Sequence, residues 1–85
     1  MYVVTQWDDA HEFIVDESES LFEITCSYYL FINDSDYIKQ NCITGYEVWW
    51  TPDEEDPNYI PEFDPTGLHE EGQTILGITI DYERL

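Results

Sequence analysis

Carboxylates are the groups in this chain with the numbers and spacing to do chemistry: Glu17 and Glu19, Asp34 and Asp36, the run Asp53, Glu54, Glu55 and Asp56, and the pair Glu70 and Glu71. Paired carboxylates act as general acid and base when one keeps its proton and the other does not. With 20 Asp and Glu in 85 residues, however, such pairs arise by chance. The sequence has no Gly-x-Ser-x-Gly elbow, no phosphate-cradling glycine loop and no Cys-His pair at a meaningful spacing. Its two basic side chains, Lys39 and Arg84, offer little to stabilise an anionic transition state. The expectation is a protein that is not an enzyme and has no catalytic residues.

Oxygen-rich loops are what calcium selects, and Asp34-Ser35-Asp36 begins like an EF-hand loop. The sixth position is Lys39 instead of Gly and the twelfth is Gly45 instead of Glu, so the match fails where the geometry matters. The Asp53 to Asp56 run reads as a solvated acidic loop. His11 and His69 are far apart and read as surface or partly buried imidazoles. Cys26 and Cys42 are too widely spaced for a metal-binding pair and read as two buried thiols, with a bridge between neighbouring strands left open. No metal and no cofactor are expected.

The acidic residues carry their information collectively. The formal charge is −18. Acidic chains with few aromatics commonly stay disordered, because they bury too little apolar surface to offset conformational entropy. This one holds 3 Trp, 7 Tyr and 4 Phe, with 42% hydrophobic residues, which is the composition of a chain that folds. Folding must then absorb self-repulsion, since two carboxylates about 7 Å apart repel by roughly 0.6 kcal/mol even in bulk water. A charge kept at that cost points to a positively charged partner.

The elements that would position the carboxylates follow from periodicity. Residues 22–32 alternate, with Phe22, Ile24, Cys26, Tyr28, Leu30 and Ile32 on one side, and read as a long strand. Segments 2–7, 46–50 and 76–82 read as three more. Asp9-Ala10-His11-Glu12 has capping-box spacing and predicts a helix over 10–19, against which Ile14-Val15 argues for a hairpin strand returning from Trp7. A short second helix is expected over 35–41. Residues 52–72 hold all four prolines and read as a long, acidic, Pro-rich surface loop, pinned by Tyr59, Ile60, Phe63 and Leu68. The fold class expected is α+β and β-rich: a single compact domain over 1–85, with an antiparallel sheet of about four strands and one or two short helices.

Trp49 stands out among the aromatics. If Trp50 faces the core with Tyr46 and Val48, Trp49 shares the other face with Glu47, either beneath a lid or as an interface anchor ringed by charge. The partner-binding residues expected are therefore Glu17, Glu19, Asp34, Asp36, Trp49, Asp53, Glu54, Glu55, Asp56, Glu70 and Glu71. Several acidic pairs are spaced i, i+2, which in extended chain places them about 6.8 Å apart on one face. That spacing is of the same order as neighbouring phosphates along a nucleic-acid strand.

In small size, extreme acidity and an aromatic-rich core, the whole chain resembles the acidic DNA-mimic inhibitors of phages and mobile elements. That class includes anti-restriction proteins, uracil-DNA glycosylase inhibitors and several anti-CRISPR proteins. The resemblance is one of type; no aligned motif ties the chain to one member, so no member's functional residues carry over. It implies a host-virus protein-protein interaction, in which the chain occupies the basic groove of a DNA- or RNA-binding host enzyme or CRISPR-Cas complex without binding nucleic acid itself. The alternatives are an acidic adaptor or chaperone for a basic protein, and a domain adapted to high salt. No run is long and apolar enough for a membrane span, and no signal peptide is legible, so a cytoplasmic location is expected, in the host cell if the protein is phage-encoded.

Overall fold

The computed structural model describes residues 1–52, 55 and 69–85. The greater part of the loop expected over 52–72, with its four pinning residues and with Asp53, Glu54 and Asp56, lies outside the described residues.

Strand β1 (Tyr2–Trp7) is the centre of the fold, buried along nearly its whole length. Its alternation sends Tyr2, Val4 and Gln6 to one face and Val3, Thr5 and Trp7 to the other. It pairs antiparallel with β2 (Glu12–Ser18) on one side and with β3 (Gly45–Trp50) on the other. Strand β4 (Thr74–Thr79) adds antiparallel to β3, which gives a four-stranded sheet of order β2-β1-β3-β4. The α+β, strand-rich class expected from the sequence is the one observed.

Two expected elements exchange identities. Residues 10–19 do not form a helix; they supply β2 after a tight turn. The Oδ1 of Asp8 accepts hydrogen bonds from the N–H groups of both Ala10 and His11, each at 2.8 Å, and the Asp8 N–H donates to the His11 carbonyl at 3.0 Å. An aspartate that ties down the backbone two and three residues onward turns the chain. The aromatic and β-branched run Phe13-Ile14-Val15 then continues as strand.

Conversely, residues 22–32 are not a strand but helix α1 (Leu21–Ile32). Its start is Ser20, whose Oγ accepts from the Glu23 N–H at 3.3 Å, while the Glu23 carboxylate accepts from the Ser18 hydroxyl at 3.1 Å. The side chains that pack inward, Leu21, Ile24, Tyr28, Phe31 and Ile32, follow helical spacing and cross β1, β2 and β3. The apparent alternation arose because both sides of the helix are apolar.

Asp34 caps α2 (Ser35–Gln40) by accepting from the Tyr37 N–H at 3.1 Å. The helix ends with Cys42 at a φ of 53°, the Ile43 N–H reaching back to the Ile38 carbonyl at 3.0 Å. This is a Schellman closure with a non-glycine residue at the left-handed position. It seats Ile38 and Ile43 together in the core with Tyr2, Val4, Ile24, Tyr28, Tyr46, Val48 and Trp50. Cys26 and Cys42 are free and exposed, contrary to the expectation of buried thiols. Cys26 sits on the outward side of α1, and Cys42 on the turn that leaves α2.

Candidate functional site

Helices α1 and α2 pack on the face of the sheet formed by Tyr2, Val4, Tyr46, Val48 and Trp50. The opposite face carries no described helix, and strand register fixes its layout in three rows. Glu17 lies in register with Val3, Val3 with Trp49 and Trp49 with Thr74. Ile14, Thr5, Glu47 and Gly77 form the second row, and Glu12, Trp7, Gly45 and Thr79 the third. Adjacent strands are about 4.8 Å apart, so Glu17 and Trp49 stand on backbones roughly 10 Å apart, with Val3 between them.

Two glycines let large side chains settle across the strands. A Cβ at Gly45 would come within 1.9 Å of the Trp7 ring, so that indole occupies the space of the missing side chain. A Cβ at Gly77 would meet the Glu47 side chain at 3.2 Å. The second indole is held by polar contacts. Trp49 Nε1 donates to Thr5 Oγ1 at 3.0 Å, and Thr5 Oγ1 donates to Glu12 Oε1 at 3.0 Å. A three-residue chain thus ties β3 to β1 and β1 to β2 and fixes the Glu12 carboxylate.

Glu47 sits half-buried between the indoles. Its burial raises its pKa above the ordinary carboxylate value, and the neighbouring Glu12 charge adds to the rise. The face is therefore an aromatic floor of Trp7 and Trp49 with Glu12, Glu17 and Glu47 set around it. Tryptophan beside carboxylate suits a guanidinium or ammonium group, which can lie against the ring while its N–H donors meet the oxygens.

The expected site residues distribute unequally over this frame. Glu17 and Trp49 share the face just described. Glu19 is exposed and stands 3.8 Å from the N-terminal amine, which also donates to the Thr51 carbonyl at 2.6 Å. Glu70 and Glu71 are exposed in the turn leading into β4, where Gly72 adopts a φ of 73° and donates to the Trp50 carbonyl at 2.9 Å. Because Tyr2 pairs with both Ser18 and Trp50, these four glutamates gather at one end of the sheet.

Asp34 and Asp36 do not join them. They belong to the helical layer, where Asp34 caps α2 and Asp36 stands in its first turn. Glu55 is exposed, and Asp53, Glu54 and Asp56 lie outside the described residues. Trp7, Thr5 and Glu12 were not among the residues expected at the site. Their signal was present: if 10–19 is read as a strand returning from Trp7, alternation puts Trp7, Thr5 and Glu12 on the Trp49 face.

Among the described residues no three His, Cys, Asp or Glu side chains are grouped to hold a metal ion. No described helix is long and apolar enough to cross a membrane. Comparison with protein-family models, with curated proteins and with solved structures returned no match.

Proposed function

We propose that this chain is a non-catalytic inhibitor that presents carboxylates at fixed positions to the Lys and Arg side chains of a DNA- or RNA-binding groove, in a host enzyme or a CRISPR-Cas complex. The observation that carries the reading is the face of Glu12, Glu17 and Glu47 around Trp7 and Trp49, whose layout is set by strand register and by the Trp49-Thr5-Glu12 hydrogen bonds. Phosphate contacts dominate the affinity of nucleic-acid-binding sites, so a groove built for them meets carboxylates of similar density favourably. Carboxylates already held in place lose little freedom on binding, and their mutual repulsion is relieved by the incoming cations. Steering by a charge of −18 adds speed to the encounter.

The test is affinity capture from a host lysate at low salt, with elution by DNA or RNA at constant ionic strength compared with elution by salt. Release by nucleic acid, together with weakened capture by the Glu12→Gln, Glu17→Gln, Glu47→Gln triple variant, supports the reading. Elution by salt alone, or a captured protein whose nucleic-acid binding is undisturbed by the chain, overturns it and favours the acidic adaptor.

A further inference from the structure

The outer side of α1 is the exception to the acidity of this protein. Its twelve residues include one ionisable carboxylate, Glu23 in the first turn, whereas the whole chain has 20. The same helix carries the two most exposed large apolar side chains described, Phe22 at 78% and Leu30 at 75%, together with Tyr29 at 52%. With the exposed Cys26 they form a stripe at i, i+4, i+7 and i+8, on the side opposite the buried Ile24 and Tyr28. An apolar stripe of this kind on an otherwise charged surface marks a docking face.

Two features of the stripe identify the occupant. A basic partner recognised by charge finds almost nothing to hold on α1, while a second acidic copy meets its least repulsion there. The stripe is also symmetric about Cys26, with Phe22 four residues before it and Leu30 four residues after. An isologous two-fold contact requires that kind of self-complementarity, because residue i of one copy must meet residue j of the other and the reverse. Laid antiparallel on itself, the ridge puts Phe22 against Leu30 twice, with the small Cys26 at the crossing.

We infer that the chain forms a two-fold dimer through α1, with Cys26 on the symmetry axis. Packed helices have axes about 8–10 Å apart, and Cα atoms lie about 2.3 Å off each axis. The two Cys26 Cα atoms then stand roughly 3.4–5.4 Å apart, and helix spacings toward the wider end put them within disulfide reach. The dimer also has a distinctive salt dependence. Two copies at −18 repel, so added salt screens the repulsion and tightens the dimer, whereas salt weakens the proposed contact with a basic groove. The dimer is independent of that contact, and the opposite salt signs separate the two.

The experiment is sedimentation equilibrium of the full chain at several protein concentrations, in low and high salt. It is paired with mild oxidation of the Cys42→Ser variant, in which Cys26 is the remaining thiol. The expected result is a monomer-dimer equilibrium that shifts toward dimer as salt rises, and a Cys26-linked dimer on a non-reducing gel. Phe22→Glu and Leu30→Glu, both at exposed positions and checked for native circular dichroism, should each abolish the dimer and the crosslink. A monomer at every concentration and salt overturns the inference, as does a dimer that survives both substitutions or one that loosens with salt.

Discussion

Tyr2, Val4, Tyr46, Val48 and Trp50 lie on one face of the sheet and are fully buried, with residues of α1, α2, β4 and the C-terminal end packed against them. One residue along each strand, Val3, Thr5, Trp7, Glu47 and Trp49 lie on the other face, which polar bonds and cross-strand packing hold in place. The covered face obtains its order from burial, at about 1.5–3 kcal/mol for each large apolar side chain removed from water. On the second face Val3 and Thr5 are buried while Trp7, Glu47 and Trp49 are only partly so, and order comes also from glycines that admit neighbouring side chains and from the Trp49-Thr5-Glu12 chain. β1 and β3 thus divide their residues by parity: one set is fully buried in the core, and the other leaves Trp7, Glu47 and Trp49 partly open to solvent.

The strongest way to break this division is to cut the covered face. Ile24→Ala should cost about 2–5 kcal/mol, because Ile24 is fully buried between helix and sheet, and urea unfolding measures it. For a domain whose total stability is about 5–15 kcal/mol, that loss is severe. A mid-sized effect belongs to the second face: Gly45→Ala should cost about 1–3 kcal/mol by displacing the Trp7 ring. Its specific mark is a change in tryptophan emission. An unchanged spectrum would mean that Trp7 does not rest on Gly45.

Cys42→Gly should stabilise the helical layer by about 1 kcal/mol, since it relieves a left-handed conformation in the turn that seats Ile38 and Ile43. Smallest of all, Glu47→Gln should raise the melting temperature slightly near pH 7. Glu47 has a raised folded pKa, so its ionisation costs stability above that pKa, and the cost disappears as pH falls until the group is protonated in both states. The gain from Glu47→Gln should therefore fade with acidification.

Asp8 has the opposite sign. Hydrogen bonds from Ala10 and His11 hold its pKa low, so its contribution is present above the ordinary carboxylate pKa and lost as pH falls through the lowered one. Asp8→Asn should thus be most destabilising at neutral pH and nearly silent in strong acid. Thermal melts across pH would show the two profiles diverging.

Where one face of a strand was polar, the sequence was legible. Trp50 inward and Trp49 with Glu47 outward followed directly from alternation, and the short helix expected over 35–41 followed from the turn-like Asn33-Asp34 ahead of it. Residues 21–32 failed because Phe22, Tyr29 and Leu30 are apolar although exposed, which blurs a period of 3.6 into one of 2. The better signal there was Ser20-x-x-Glu23, a capping-box spacing directly ahead of the apolar run. The competing Asp9-x-x-Glu12 match misled because Asp8, one residue earlier, was the residue that organised the turn. Glu17 beside Trp49 was only half legible: alternation gave the face, but no local pattern gives the register between β1 and β2, which shifts between Val4 and Thr5.

That irregular edge has a consequence for handling. Strand β2 ends the sheet, and it exposes Phe13 at 44% and Ile14 at 52%, the kind of edge to which another extended chain can add. Glu12 stands directly before this pair, and Asp16 and Glu17 follow within three residues, acting as gatekeepers against such addition. Near the sequence pI of about 4.1 the chain as a whole loses its net charge, and with it the long-range repulsion that keeps copies apart. Acidification toward that point should therefore favour addition of one copy to another along β2, and light scattering through a purification step near pH 4 would detect it.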